Sequence, residues 1–281
     1  SQIGKLLVGD SRIAGIAFTG STDTAQSINK QLAARPGKPI PFVAETGGQN
    51  CMVVDSTALP EQVVDDVISS AFQSAGQRCS ALRVLFIQSD IADNTLEMLA
   101  GAMASIKVGD PRLLCSDLGP VIDNGARKEL QKHIDRMHKE ATFIASVAVE
   151  DQCADGSFIP PHVFEIRSLD QLTEEVFGPV SAVMTVNSAA EAVALANDTC
   201  YGLHASVFTS NGRRAHNVAR AIKAGTVSVN CYSEGDMTTP FGGFKQSGFG
   251  GRDNSLLAHD QYTETKTIWL DLSSESDAEL D

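Results

Sequence analysis

Ser74-Ala75-Gly76-Gln77-Arg78-Cys79-Ser80, taken with the upstream Glu45-Thr46-Gly47-Gly48-Gln49-Asn50, is the part of this sequence whose reading decides the rest. A thiol is a useful nucleophile only as thiolate, so it needs local polarity that lowers its pKa. A glycine just before it lets the backbone come close to a reacting carbonyl, where N–H groups can hold a developing oxyanion. A carboxylate beside Gly47-Gly48 could then activate water against a covalent intermediate. Each piece alone has a plainer reading: a single Cys is usually a small core residue, and a single Glu is usually solvated. Arg78, next to the thiol, could lower its pKa or could simply be a surface charge.

Outward from these segments, strand-like and helix-like stretches alternate, the pattern of an α/β protein with a largely parallel sheet. Strands are expected at 13–19, 40–44, 52–54 and 82–87, with helices at 21–35, 61–72, 91–106 and 125–139. The alternation resumes with strands at 180–186, 204–208 and 226–230 and helices at 189–197 and 213–223. Residues 263–272 read as a final edge strand. Pro36-Gly37 breaks the first helix, and Val63, Val64, Val67 and Ile68 mark one face of another. Gly242-Gly243 and Gly248-Phe249-Gly250-Gly251 lie in no strand-to-helix unit, so they make a weak phosphate cradle.

The 281 residues suffice for one large or two modest domains, and 42% apolar with 20% charged residues is ordinary globular composition. A net charge of −13 argues against nucleic-acid or anionic-membrane partners, which demand clustered Lys and Arg. No apolar run reaches the roughly 20 residues of a membrane span. Six scattered cysteines with no C-x-x-C spacing argue against zinc and suit a reducing, cytoplasmic location. The acidic 273–281 reads as a solvated tail.

The Cys79 and Glu45 segments resemble the nucleophile and general-base motifs of the NAD(P)-dependent aldehyde dehydrogenase superfamily. Further matches follow in the family's order: Phe18-Thr19-Gly20-Ser21, Glu174-Glu175-Val176-Phe177-Gly178-Pro179, Tyr201-Gly202-Leu203 and Pro240-Phe241-Gly242-Gly243-Phe244-Lys245-Gln246-Ser247-Gly248. The resemblance implies an aldehyde dehydrogenase-like α/β fold. Residues 1–46 would be the end of a Rossmann-like NAD-binding domain, 47–258 the catalytic domain and 259–272 a strand completing a neighbour's sheet in a homo-oligomer. It also implies that the family's oxyanion-hole Asn and adenosine-ribose Lys lie upstream of this chain, so that the chain by itself would bind NAD poorly.

What the resemblance implies about chemistry is specific. Cys79 would attack an aldehyde to give a thiohemiacetal, a hydride would leave to NAD (or NADP), and Glu45 would activate the water that hydrolyses the thioester. Gly20, Ser21, Thr46, Gly47, Glu175 and Phe177 would contact the cofactor, and Ser80 the substrate. Ser21 reads equally as a plain helix cap. Glu174-Glu175 would otherwise be a solvated pair and Phe177 a core residue. The glycine-rich segment near 242–251 would be a structural loop beside the substrate entrance.

Two substrate readings coexist. Residues 35–83 are similar to the L-glutamate γ-semialdehyde (1-pyrroline-5-carboxylate) dehydrogenase module of bifunctional proline-utilisation proteins, which puts that aldehyde first. Residues 232–240 and 251–256 look more like γ-glutamyl-γ-aminobutyraldehyde and broad-range dehydrogenases, and Glu234 and Asp236 would repel a substrate carboxylate if they point inward. Rival classes are a non-oxidative cysteine hydrolase and an inactive scaffold that only oligomerises.

Overall fold

A computed structural model describes residues 2–149, 153–233 and 235–272 of the chain. Its elements in order are α1 (Gln2–Gly9), β1 (Ile16–Thr19), α2 (Thr22–Ala33), β2 (Phe42–Glu45), β3 (Asn50–Val54), α3 (Pro60–Phe72), β4 (Leu82–Gln88), α4 (Ser89–Met103), α5 (Asn124–Glu140), β5 (Thr142–Ser146), β6 (His162–Glu165), β7 (Val180–Val186), α6 (Ala189–Asn197), β8 (His204–Phe208), α7 (Gly212–Ala221), β9 (Thr226–Val229) and β10 (Gly248–Phe249). They build two sheets. The larger has seven strands in the order β5-β6-β7-β4-β3-β8-β9, and the smaller has three, β1-β2-β10.

Within the large sheet every pairing is parallel except β5 with β6. Central parallel strands are covered on both faces, so they read as continuous apolar runs: all five residues of β3 are buried, as are the first six of β4. Alternate side chains face opposite layers. Met52, Val54, Leu85 and Ile87 join Val63, Val64 and Val67 of α3 and Leu99 and Met103 of α4 in one core. Cys51, Val53, Val84 and Phe86 pack on the other side with Ala192 of α6 and Val218 of α7. Burying side chains of this size contributes about 1.5–3 kcal/mol each, so this double core fixes where the strand ends, and hence the site, lie.

Helix starts follow local chemistry. Ser21, Asp123, Ser188 and Asn211 each accept a backbone N–H of the first turn of α2, α5, α6 and α7, and Pro60 begins α3 where no backbone donor is needed.

The expected α/β alternation is present, with three differences. The sequence pattern gave no notice of α1, β5 or β6. β5 is an edge strand with half-exposed side chains and β6 has four residues, too short for a periodic signal. Among the described residues the strand expected over 263–272 has no ladder partner: Ile268, Trp269, Leu270 and Leu272 are exposed, since a strand needs a neighbour's backbone to pair. Finally, Gly248-Phe249 is not loop but β10, which pairs antiparallel with β2 and brings Gly248 opposite Glu45. Glu234 and the acidic tail 273–281 lie outside the described residues. Among the described residues no helix is long and apolar enough to cross a membrane.

Candidate active site

The turn before β4 carries Cys79. Ser74, Ala75 and Gly76 in succession have φ of 56°, 53° and 64°, a left-handed run that non-glycine residues adopt at a cost. At Gly76 the reason is close contact: a Cβ there would strike the carbonyl of Gly178. The turn is pinned from below by Asn50, the first residue of β3. Its Nδ2 donates to the carbonyls of Cys79 at 2.7 Å and Ala81 at 2.9 Å, while its Oδ1 accepts the His204 N–H at 3.0 Å. From the side, Tyr232 Oη donates to the Ser80 carbonyl at 2.6 Å. Cys79 itself stays half-buried, whereas Cys51 and Cys153 are buried. Burial pushes the Cys51 thiol up to about 12, which removes it as a nucleophile.

Glu45 ends β2 and is 2% exposed. Its Oε2 accepts the Gly243 N–H at 3.2 Å, and its Oε1 has no hydrogen-bond partner. Gly242 and Gly248 wall the carboxylate: a Cβ at either would come within 2.8–3.0 Å of its oxygens. Burial pushes its pKa up to about 7; the Gly243 N–H and Arg252 oppose the rise, and Asp253 adds to it. The glycine-rich segment expected to be a loop at the substrate entrance is therefore also the holder of this carboxylate. Spacing alone gave no signal for that, because Gly243 lies far along the chain and meets Glu45 only through β10.

Thr46 is buried, with its N–H on the Ser247 carbonyl at 2.9 Å and its hydroxyl on the Gln246 carbonyl at 2.5 Å. Gly47 has no room for a side chain because the Glu175 carboxylate fills that space, and Glu175 Oε1 accepts the Gly48 N–H at 3.1 Å. Burial raises the Glu175 pKa against the pull of that N–H and of Arg83. Phe177 is 43% exposed, its ring lying 5.6 Å from the Arg83 guanidinium carbon. Glu45, Thr46, Gly47, Glu175 and Phe177 thus belong to two segments, 45–48 and 175–178, that meet directly.

Gly20 donates its N–H to the Glu45 carbonyl at 3.1 Å, so the turn opening α2 sits beside Glu45. Ser21 makes the cap, accepting Thr24 N–H at 3.3 Å and donating to Thr24 Oγ1 at 2.9 Å. Ser80 is buried at 1% exposure.

Sequence reasoning missed Arg83, Asn50 and Gln49 as parts of this arrangement. Gln49 Nε2 donates to the carbonyls of Leu172 at 3.2 Å and Glu174 at 3.4 Å, which anchors the segment leading to Glu175. The available signal was a polar residue beside a run destined for full burial, since buried polar groups are there to be hydrogen-bonded. Arg78 is half-buried and not a plain surface charge; it reaches the carbonyls of Ser69 and Ser70 at 3.5 Å, and it adds to the burial that pulls the His204 pKa down to about 4.

The chain was compared with known proteins. A sequence model described as the aldehyde dehydrogenase family matches residues 1–268. The chain is 42% identical over 260 residues to the bifunctional protein PutA of Escherichia coli K12, covering 88% of this chain and 20% of that protein. It is 38% identical over 269 residues to the aminoacetaldehyde dehydrogenase of Pseudomonas aeruginosa PAO1, covering 93% of this chain and 52% of that enzyme. The chain therefore spans between a fifth and about half the length of these relatives. Among solved structures, a crystal structure of bifunctional proline utilization A superposes with a TM-score of 0.85 at 43% identity, over 89% of this chain and 26% of that one. An indole-3-acetaldehyde dehydrogenase crystallised with NAD+ superposes with a TM-score of 0.91 at 35% identity, over 96% of this chain and 55% of that one.

Proposed function

The chain belongs to the aldehyde dehydrogenase family, and from that premise we propose that it carries the nucleophile and base of an NAD-dependent oxidation of an aldehyde to a carboxylic acid. The observation that carries the reading is Glu45: a buried carboxylate with one oxygen held by a backbone N–H, titrating close to neutral pH. A general base works best with a pKa near the working pH. Cys79 attacks the aldehyde carbon, and its own backbone N–H is the donor we assign to the oxygen that gains charge. Glu45 later takes a proton from the water that hydrolyses the thioester, and the thiolate of Cys79 is the leaving group.

The residues present fit a dinucleotide. Glu175 offers a carboxylate to ribose hydroxyls, Phe177 an exposed ring to the nicotinamide, and Gly47, bare of a side chain, lets the Glu175 carboxylate lie against the backbone. Gly20, Ser21 and Thr46 are the further contacts we assign to it. When bound, NAD supplies the acceptor for the hydride. Residues 1–46, 47–258 and 259–272 are read as nucleotide-domain, catalytic and oligomerisation segments of a cytoplasmic homo-oligomer, the exposed Ile268, Trp269, Leu270 and Leu272 supporting the last.

For the substrate we place L-glutamate γ-semialdehyde first, on the likeness to the PutA proteins, with Ser80 as its contact. A second reading is an amino aldehyde. Asp236 lies in the Tyr232–Pro240 segment, is solvent-exposed, and is kept ionised by the hydroxyl and N–H of Thr238, and the Pseudomonas relative is an aminoacetaldehyde dehydrogenase. The test is NADH formation with both aldehydes, by this chain and by any longer native polypeptide that carries it. The expected result is turnover by the longer polypeptide that Cys79→Ala abolishes, with kcat/KM at least tenfold higher for the semialdehyde, and little or none by this chain alone. A preference for the amino aldehyde that Asp236→Asn removes would select the second reading, and full turnover in Cys79→Ala would refute both.

A further inference from the structure

Arg83 is the second residue of β4, in a run that is otherwise apolar, and its side chain is 3% exposed. A buried guanidinium is costly unless its donors are used and an anion faces it. Its Nη1 donates to the Gly178 carbonyl at 3.0 Å and its Nη2 to the Arg78 carbonyl at 3.2 Å, one residue before Cys79. Nη2 lies 4.0 Å from Glu175 Oε1, and the guanidinium faces the Phe177 ring. One cation therefore joins the Cys79 turn to the 175–178 segment, the two parts already in contact through Gly76 and Gly178. A lysine in this position would have no planar fork with which to hold two carbonyls at once.

We propose that Arg83 is a positioning residue: a buried cation that clamps the Cys79 turn against the Glu175–Phe177 segment and, from beneath, favours the thiolate form of Cys79. This rests on the reading of Cys79 as nucleophile. The charged and titratable groups facing Arg83 are Glu175, Tyr232, Cys79 and Arg78. Burial pulls Arg83 down to about 10, which still leaves it a cation at neutral pH, and Glu175 answers that charge only at the limit of an ion pair. A thiolate at Cys79 supplies the second anion, and the preference is mutual: what the thiolate gives the guanidinium, the guanidinium gives the thiolate. Arg78 is a second cation in the same turn, so its share has to be separated by experiment.

The experiment reads the thiol without cofactor or aldehyde, so it stands apart from the fate of the dehydrogenase reading. The rate of iodoacetamide labelling at Cys79, resolved by peptide mapping, is followed against pH in the full chain, in R83K, R83M and R78M. The expected wild-type inflection lies below the ~8.5 of a free thiol. R83M raises it by about one unit, a roughly tenfold slower reaction at neutral pH, and R83K restores most of the shift because it keeps the charge. Protection of the buried Cys51 reports that each variant is folded. If R83M exposes Cys51, R83Q takes its place in the same assay. A folded neutral variant with the wild-type inflection overturns the proposal. So does a shift caused by R78M alone, or unfolding of both neutral variants, which would make Arg83 a purely structural residue.

Discussion

The Gly243 N–H holds one oxygen of Glu45 at 3.2 Å while the other, Oε1, is buried with no hydrogen-bond partner. A charged carboxylate would leave that oxygen unsatisfied, so burial favours the protonated form and brings the pKa to about 7. The niche thus stores the base close to its switching point.

Glu45→Gln keeps the shape and removes the proton acceptor. If Glu45 acts only on the thioester, the variant of a longer polypeptide that carries this chain gives a burst of NADH followed by turnover slowed by ~10²–10⁴-fold. In the wild type the thioester-hydrolysis rate should rise with pH through about 7. Rapid-mixing measurement of burst and steady state checks both; an unchanged steady state in the variant rules the role out.

The same shift has a sign for stability. Glu45 is protonated in both folded and unfolded chains below its ordinary value of 4.5, so it has no effect there. Between 4.5 and about 7 the unfolded chain ionises first, so the group costs stability as pH rises, and the cost is complete above about 7. The full difference is about 3 kcal/mol at most. Glu45→Gln should therefore gain on the wild type by up to that amount between about pH 5 and about pH 8 in urea unfolding. Parallel stability curves for the two proteins would contradict the buried-acid account.

The segments that hold the candidate residues Cys79 and Glu45, and the strand-helix alternation around them, were legible because each is written in a short window: a turn with glycine, a carboxylate before two glycines, an apolar run of strand length. β7, α6 and β8 were readable to their ends for the same reason. What was not legible depends on distant pairing. Gly243 reaches Glu45 through β10, a two-residue strand with no periodicity. Arg83 interrupts an apolar run, and its partners, the carbonyls of Gly178 and Arg78, come together only in the fold. Residues 263–272 have strand composition but no ladder partner among the described residues.

Asn50→Ala tests the support of the Cys79 turn. The carboxamide satisfies the carbonyls of Cys79 and Ala81 and the N–H of His204, all in or next to the core. Leaving such groups unpaired costs about 1–3 kcal/mol each, and the site is too enclosed for easy replacement by solvent. The expected loss is about 3 kcal/mol or more in urea unfolding, with Cys79 alkylation losing its selectivity over Cys115, Cys200 and Cys231. A loss below about 1 kcal/mol would mean that the turn holds itself.

Gly76→Ala and Gly101→Ala form a matched pair. Gly76 has φ of 64°, and a Cβ there would collide with the Gly178 carbonyl, which is also the acceptor for Arg83 Nη1. The left-handed backbone alone costs an L-residue about 1–2 kcal/mol, and the collision must be relieved by moving the 178–179 turn or the Cys79 turn. Either movement separates Cys79 from the Glu175–Phe177 segment. Gly101 lies in α4, exposed, with nothing near a new Cβ. Alanine there should add about 0.5–1 kcal/mol by favouring helix and restricting the unfolded chain. We expect Gly76→Ala to lose at least about 2 kcal/mol and more than tenfold in Cys79 alkylation at neutral pH, while Gly101→Ala gains stability and leaves alkylation unchanged. Equal and small effects for the two substitutions would show that the Cys79 turn is not held in place by its packing against Gly178.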